Sequence, residues 1–249
     1  MTLARNSLML AFRGLTSLLC RIDDAQLARV PPRGPLIVIT NHVGLVEIPI
    51  LVTRLQPRPL TGFVAAVRWE KPWLGRLLDV AGAIPLRRGE ADIAALRRGL
   101  ESLDKGHVLG IMPEGTRSGD GRLQRGHSGV VFLALQSGAP VLPVVHYGSE
   151  RFAGNLRRAR RTDFHIRVGQ PFTFHAVGVK VTRQVRQQMV DEAMYRMAAL
   201  LPPAYRGAYS DLDQATQTYL ASCSQEAARP PGHPARREVG DHGEVETRS

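Results

Sequence analysis

Pro35-Leu36-Ile37-Val38-Ile39-Thr40-Asn41-His42-Val43-Gly44-Leu45-Val46-Glu47 is the stretch that decides the fold. Four consecutive branched aliphatics behind a Pro/Gly-rich turn, with no polar alternation, are what a strand buried on both faces requires. The run stops at Thr40-Asn41-His42, and from Glu47 to Arg54 apolar residues return at helical spacing. A buried strand feeding a helix is half of a βαβ unit, so the expected fold is α/β with a largely parallel sheet flanked by helices.

The same reading extends in both directions. Strands are expected over residues 60–67, 83–86, 107–112, 141–146 and 164–168, and helices over 73–80, 91–103, 129–137 and 182–200, the last stopped by Pro202-Pro203. Upstream, Leu8, Phe12, Leu15 and Leu19 share one helical face, with Asn6, Arg13 and Ser17 opposite and Leu10 on the polar side. Such an amphipathic helix lies in a membrane interface or caps the core. It is too short and too charged to span a bilayer, which needs roughly 20 apolar residues. Arg13 and the lack of a small-residue cleavage site argue against a secretory signal. The organisation expected is an N-terminal helix over 1–22, one folded domain over 23–205 and a C-terminal extension over 206–249. From about 224 the extension has almost no apolar residues and is expected to be disordered.

The chain of 249 residues is 43% apolar, enough for an ordinary core, and carries a net charge of +11 with a pI near 10.7. That balance calls for an anionic partner: a membrane surface, a phosphorylated substrate or nucleic acid. Lys71, Lys105 and Lys180 are the only lysines, so the charge is almost entirely arginine. Arginine suits two-point phosphate contact, although a compositional bias explains the count as well. Cys20 and Cys223 stand at opposite ends without metal-like spacing, which supports neither a disulfide framework nor a zinc site, and a reducing compartment is expected.

Chemistry concentrates at two strand ends. His42 has the side chain best suited to general-base work near neutrality, with an ordinary pKa of about 6.5. Residues five apart in a regular helix point about 140° away from each other. For Glu47 to hold the far nitrogen of His42, His42 must therefore sit on the turn and Glu47 in the first helical turn. A lone histidine is more often a cap or a satisfied core residue. Here its neighbours argue otherwise. The second segment, Pro113-Glu114-Gly115-Thr116-Arg117-Ser118, offers a guanidinium fork and two hydroxyls for a phosphate, and Glu114 as an acceptor for an alcohol. A surface turn with a Glu114–Arg117 ion pair is the alternative. Gly82 to Gly89 is a short strand running into Arg87 and Arg88, and Val141 to Tyr147 is an apolar strand containing Pro143.

In this order and spacing the four segments resemble the glycerolipid acyltransferase superfamily, which includes the 1-acylglycerol-3-phosphate acyltransferases. The likeness covers roughly residues 35 to 175. It implies that His42 and an acidic residue five positions on form the catalytic pair, that Glu114, Gly115, Thr116, Arg117 and Ser118 with Arg88 bind the acceptor phosphate, and that Pro143 belongs to the final apolar motif. The acid is Glu47 where that family usually has Asp, and the extra methylene moves the carboxylate by a little over ~1 Å. The function implied is transfer of a fatty acyl group from an acyl thioester, coenzyme A or acyl carrier protein, to the hydroxyl of a lysophospholipid. The first-choice acceptor is 1-acyl-sn-glycerol-3-phosphate, giving phosphatidic acid in phospholipid biosynthesis. No cofactor and no metal are expected, nor is nucleic acid.

The expected mechanism is direct attack of the acceptor alkoxide, with backbone N–H groups at the helix start after His42 stabilising the developing oxyanion. The N-terminal helix and the basic run Arg151, Arg157, Arg158, Arg160 and Arg161 would hold the enzyme peripherally at an anionic membrane, on its cytoplasmic face. A solvated loop is the plainer reading of that run. Another lysolipid or polar acceptor is the alternative function, as is basic binding to membrane or nucleic acid without catalysis. Gly126-His127-Ser128-Gly129 fails as a serine nucleophile elbow because Val130 stands where glycine is required. The basic run has only Phe152 as an aromatic platform for bases. No Gly-x-Gly-x-x-Gly follows the first strand.

Overall fold

The computed structural model describes residues 3–87, 89 and 92–223. The proposed disorder beyond 224 and the side chain of Arg88 fall outside the described residues. A nine-stranded sheet runs in the order β1 (Cys20–Asp23), β7 (Thr162–Val168), β6 (Val141–Tyr147), β2 (Leu36–Ile39), β5 (Val108–Ile111), β3 (Leu60–Ala65), β4 (Ile84–Leu86), with β8 (Phe172–Phe174) beside β6 and β9 (Leu220–Ser222) beside β8. The pairs β1–β7, β6–β2, β2–β5, β5–β3 and β3–β4 are parallel, while β6–β7, β6–β8 and β8–β9 are antiparallel. The sheet is mostly parallel, as the aliphatic run Leu36 to Ile39 required.

That run is buried throughout because it has core on both sides. Leu36 and Val38 belong to one apolar cluster, with Ile50, Val108 and Phe164, whereas Ile37 and Ile39 belong to the other, with Leu109, Val131 and Met194. Helices α2 (Glu47–Arg54), α3 (Pro72–Ala81), α4 (Ile93–Asp104), α5 (Gly129–Ser137) and α7 (Arg183–Leu200) follow the periodicity of the sequence to within two residues. Their ends have local causes. Asp92 accepts the Ala95 N–H at 3.0 Å and Thr182 accepts the Val185 N–H at 3.2 Å, while Gly82 and Gly138 close α3 and α5 at φ 77° and 65°.

Four elements escaped the sequence reading. β1, β8 and β9 are three or four residues long and hold their shape through pairing with distant strands, not through local propensity. β1 also draws Cys20, Arg21 and Ile22 out of the expected N-terminal helix and into the sheet. Part of the basic run forms a helix, α6 (Phe152–Arg157), and Arg161 donates to the carbonyls of Ser17 at 2.7 Å and Cys20 at 2.6 Å. Arg161 therefore satisfies an orphan carbonyl in the last turn of α1 (Leu3–Leu19) and binds the first carbonyl of β1. The extension after 206 packs on the domain as far as residue 223: Tyr209 and Leu220 are buried and Glu192 holds Thr216, Thr218 and Tyr219 at 2.7–2.9 Å.

α1 packs along α2 through a stripe centred on Met9 and Thr16, with Leu8, Phe12 and Leu19 half-buried, and Arg54 reaches back to Ser17 at 2.6 Å. Leu15 departs from the expected apolar face and is exposed. Leu3, Leu10 and Leu18 form a second apolar ridge turned outward, each 70% or more exposed. No described helix is long and apolar enough to cross a membrane.

Candidate active site

β2 and β5 are adjacent and parallel, with Ile39 opposite Ile111, so the loops leaving their C-terminal ends meet although His42 and Glu114 are 72 residues apart. Strand C-termini at such a point are where open α/β sheets place ligands. His42 stands in the turn and Glu47 is the first residue of α2, the arrangement that the five-residue spacing demanded.

His42 Nδ1 lies 2.9 Å from Glu47 Oε1. The Glu47 side chain is fully buried, while that of His42 remains 13% exposed. Burial alone would raise the Glu47 pKa; the hydrogen bond from His42, the nearby His146 and local backbone N–H groups outweigh it and hold the carboxyl below its ordinary value. An ionised carboxylate only accepts, so Nδ1 carries a proton, and in the neutral ring it is Nε2 that keeps the lone pair. This is the tautomer that general-base work at Nε2 requires. The longer glutamate side chain also reaches further partners, since Oε1 accepts Gly44 N–H at 2.7 Å and Val43 N–H at 3.0 Å.

Those last two bonds narrow one expectation: of the N–H groups between His42 and the helix start, those of Val43 and Gly44 are spent on Glu47 and are not open to an oxyanion. The N–H groups of Thr116 and Arg117, in the facing loop, have no partner among the described residues. That loop is fixed beside the histidine by Ser118 N–H to His42 O at 2.8 Å and Gly119 N–H to Val43 O at 3.1 Å.

Glu114 differs from its expected role. Its Oε1 accepts His42 N–H at 2.8 Å and its Oε2 accepts Gln124 N–H at 2.9 Å, so the carboxyl ties the two loops together and is not turned toward an alcohol. The Glu114–Arg117 ion pair does not form. Burial pushes the Glu114 pKa up to about 7, with the carboxylates of Asp120 and Glu47 adding to the rise and the two N–H donors opposing it. Gly115 turns the chain at φ 66°, and a Cβ there would press within 3.1 Å of the His127 ring. Thr116 and Arg117 are exposed, with side chains that have no partner among the described residues. Ser118 Oγ accepts the Gly121 N–H at 3.2 Å and keeps its own proton to donate.

An apolar cavity of about 130 Å³ lies under α2 and α3 against β2, β5 and β3. Thr40 and Met112, which head the two site loops, belong to its lining together with Val38, Leu51 and Val64. Gly62 and Gly110 keep it open and the strands close: a Cβ on Gly62 would lie 3.0 Å from the Gly110 carbonyl oxygen. Among the described residues no group of three or more His, Cys, Asp or Glu side chains is arranged to hold a metal.

A histidine–carboxylate pair at the switch point of an α/β sheet, facing a loop with an unpaired arginine and beside an apolar slot, has the chemistry to activate a hydroxyl next to an anionic, partly apolar ligand. Comparison with known proteins specifies it further: residues 21–147 match the family described as Acyltransferase, just over half of the chain, and the chain belongs to that family, within the glycerolipid acyltransferase superfamily. It is similar to the lyso-ornithine lipid O-acyltransferase of Pseudomonas aeruginosa, 29% identical over 186 residues, 68% of this chain and 71% of that protein. It also resembles a chloroplastic 1-acyl-sn-glycerol-3-phosphate acyltransferase of Brassica napus, 30% identical over 46% of this chain and 33% of the relative. The match thus spans only a third of that relative's length. The crystal structure of PlsC from Thermotoga maritima, a 1-acyl-sn-glycerophosphate acyltransferase, shares the fold, with a TM-score of 0.54 at 20% identity over 79% of this chain and 80% of that one.

Proposed function

We propose that this chain transfers a fatty acyl group from an acyl thioester to the free hydroxyl of a lysolipid, with 1-acyl-sn-glycerol-3-phosphate as acceptor and phosphatidic acid as product. The observation that carries the reading is the 2.9 Å contact of His42 with a buried, ionised Glu47 beside the exposed, unpaired Arg117. Arg117 with Thr116 and Ser118 holds the headgroup phosphate, and Arg88 is assigned to the same task from its place in the sequence. His42 Nε2 then takes the acceptor proton, the alkoxide attacks the thioester carbonyl, the C–S bond breaks, and the proton passes to the departing thiolate. No acyl-enzyme is needed. A positioned base supplies about 10²- to 10⁴-fold, and holding the two substrates together supplies more. The apolar cavity takes part of an acyl chain. Coenzyme A or acyl carrier protein enters as co-substrate, not as cofactor.

The outward ridge of Leu3, Leu10 and Leu18, with the exposed arginines of the 157–160 segment beyond the end of α1, supports peripheral binding to an anionic bilayer, on its cytoplasmic face. Lyso-ornithine lipid is a second acceptor reading. It is favoured by the Pseudomonas aeruginosa relative, whose alignment extends over 71% of that protein.

The test is thiol release from acyl-coenzyme A with detergent-dispersed lysophosphatidic acid or lyso-ornithine lipid, with the product identified by mass. Phosphatidic acid formation supports the first acceptor and acylated ornithine lipid the second. Release with neither, from coenzyme A and from acyl carrier protein donors alike, would remove the transferase reading.

A further inference from the structure

Behind the catalytic turn lies a histidine that the proposed reaction does not use. His146, in β6, is fully buried and stacks on Phe164 with ring centroids 5.1 Å apart and 14° between the planes. Three hydrogen bonds join it to Asn41, the residue bonded to His42. Asn41 Nδ2 donates to the His146 carbonyl and the His146 N–H donates to Asn41 Oδ1, both at 2.9 Å. The β2–β6 ladder is last registered at Ile39 opposite Pro143, and the Asn41 amide continues the pairing after β2 has ended. The third bond comes from the imidazole. His146 Nε2 lies 2.9 Å from the Asn41 carbonyl oxygen, which can only accept, so Nε2 carries the proton. Nδ1 is then the acceptor and faces Ser149 Oγ at 3.4 Å.

We infer that His146 is a positioning residue for acyl transfer: its Nε2–H fixes the Asn41–His42 peptide and thereby aims the His42 imidazole between Glu47 and the acceptor hydroxyl. This rests on His42 being the base. The peptide is restrained at both ends: His146 holds its carbonyl and Glu114 holds the His42 N–H at 2.8 Å, while Ser118 holds the carbonyl of the following peptide, that of His42, at 2.8 Å. An apolar ring in place of His146 would fill the same space and stack on Phe164, yet leave the Asn41 carbonyl without that donor in a dry interior. Burial favours the neutral imidazole, with Glu47 opposing and His42 reinforcing that preference. A neutral donor there leaves the Glu47 charge to His42.

The experiment compares the full chain with His146→Phe, which keeps the ring and loses the donor, and His146→Gln, which restores an N–H. Acyl-coenzyme A and lysophosphatidic acid are the substrates, at a temperature where all three remain folded by circular dichroism. The expected result is a kcat lower by about tenfold to a hundredfold in the Phe variant, the cost of a misplacement of about 1 Å. KM for both substrates stays within about threefold, and the Gln variant recovers most of kcat. A second readout does not depend on turnover: the low-field proton resonance of the His42 Nδ1–H to Glu47 bond, assigned by its loss in His42→Ala, should broaden or vanish in the Phe variant and return in the Gln variant. Unchanged kcat in a folded Phe variant, or an unchanged resonance in both variants, overturns the inference. If the native chain transfers no acyl group, the proposed function falls, and the resonance still decides whether His146 positions His42.

Discussion

The two loops that make the site are built on opposite plans. In the turn after β2, most polar groups are spent on one another: His42 on Glu47, the Val43 and Gly44 N–H groups on the same oxygen, Asn41 on His146, and the His42 N–H on Glu114, while Thr40 Oγ1 and Glu47 Oε2 are buried without a partner among the described residues. In the loop after β5, Thr116 and Arg117 face solvent with side chains that meet no partner among the described residues. Under the proposed function the difference separates two jobs. A base must be held in one direction before substrate arrives, since orientation supplies much of the rate. A headgroup clamp must keep its hydrogen bonds unspent for the ligand.

If that division is right, damage to the first loop lowers kcat and damage to the second raises KM for the acceptor. The largest effect is expected for His42→Ala, a fall in kcat of about 10²- to 10⁴-fold with product measured by mass. Glu47→Gln should lower kcat by about a hundredfold, because the amide no longer favours one histidine tautomer and leaves the buried donors a weaker acceptor. For Arg117→Ala the acceptor KM should rise by about ten- to a hundredfold, the worth of a charge-assisted pair of roughly 1.5–3 kcal/mol, with kcat little changed. Glu47→Asp would install the residue usual in the superfamily, and here it should still cost about tenfold in kcat. Shortening the side chain draws Oε1 back by over ~1 Å from three donors that converge on it. Activity at or above the native level would show that the loop relaxes around either acid.

Glu114 gives the smallest and most specific effect, read in stability. Its pKa is about 7 in the fold and 4.5 ordinarily. The native state therefore binds the extra proton between those values, and stability falls as pH rises through that window. Glu114→Gln should flatten this part of the profile of melting temperature against pH between about 4.5 and 7. An unchanged slope would mean that Glu114 ionises freely in the folded chain.

Much of this division was legible in the sequence, because both loops are local. His42 and Glu47 are five residues apart, and the strand before them announces itself by its four aliphatics. What the sequence could not show lies across long separations. The Asn41–His146 pairing joins residues 105 apart, and β1 owes its existence to β7, with Cys20 opposite Thr162. Side-chain direction was the other gap. Glu114 looked like a substrate ligand because it sits in the phosphate-loop pattern, and only packing turns it inward against His42 and Gln124. Leu10 seemed to blur an amphipathic stripe, whereas the structure places it with Leu3 and Leu18 on a second ridge.

The most direct test of the account is a full acceptor titration of acyl transfer by the native chain, His42→Ala and Arg117→Ala, at saturating acyl thioester. The account predicts that the histidine change appears in kcat with acceptor KM held within about threefold, and the arginine change in KM with kcat nearly intact. A histidine variant that retains native kcat, or an arginine variant that loses kcat at unchanged KM, would contradict it.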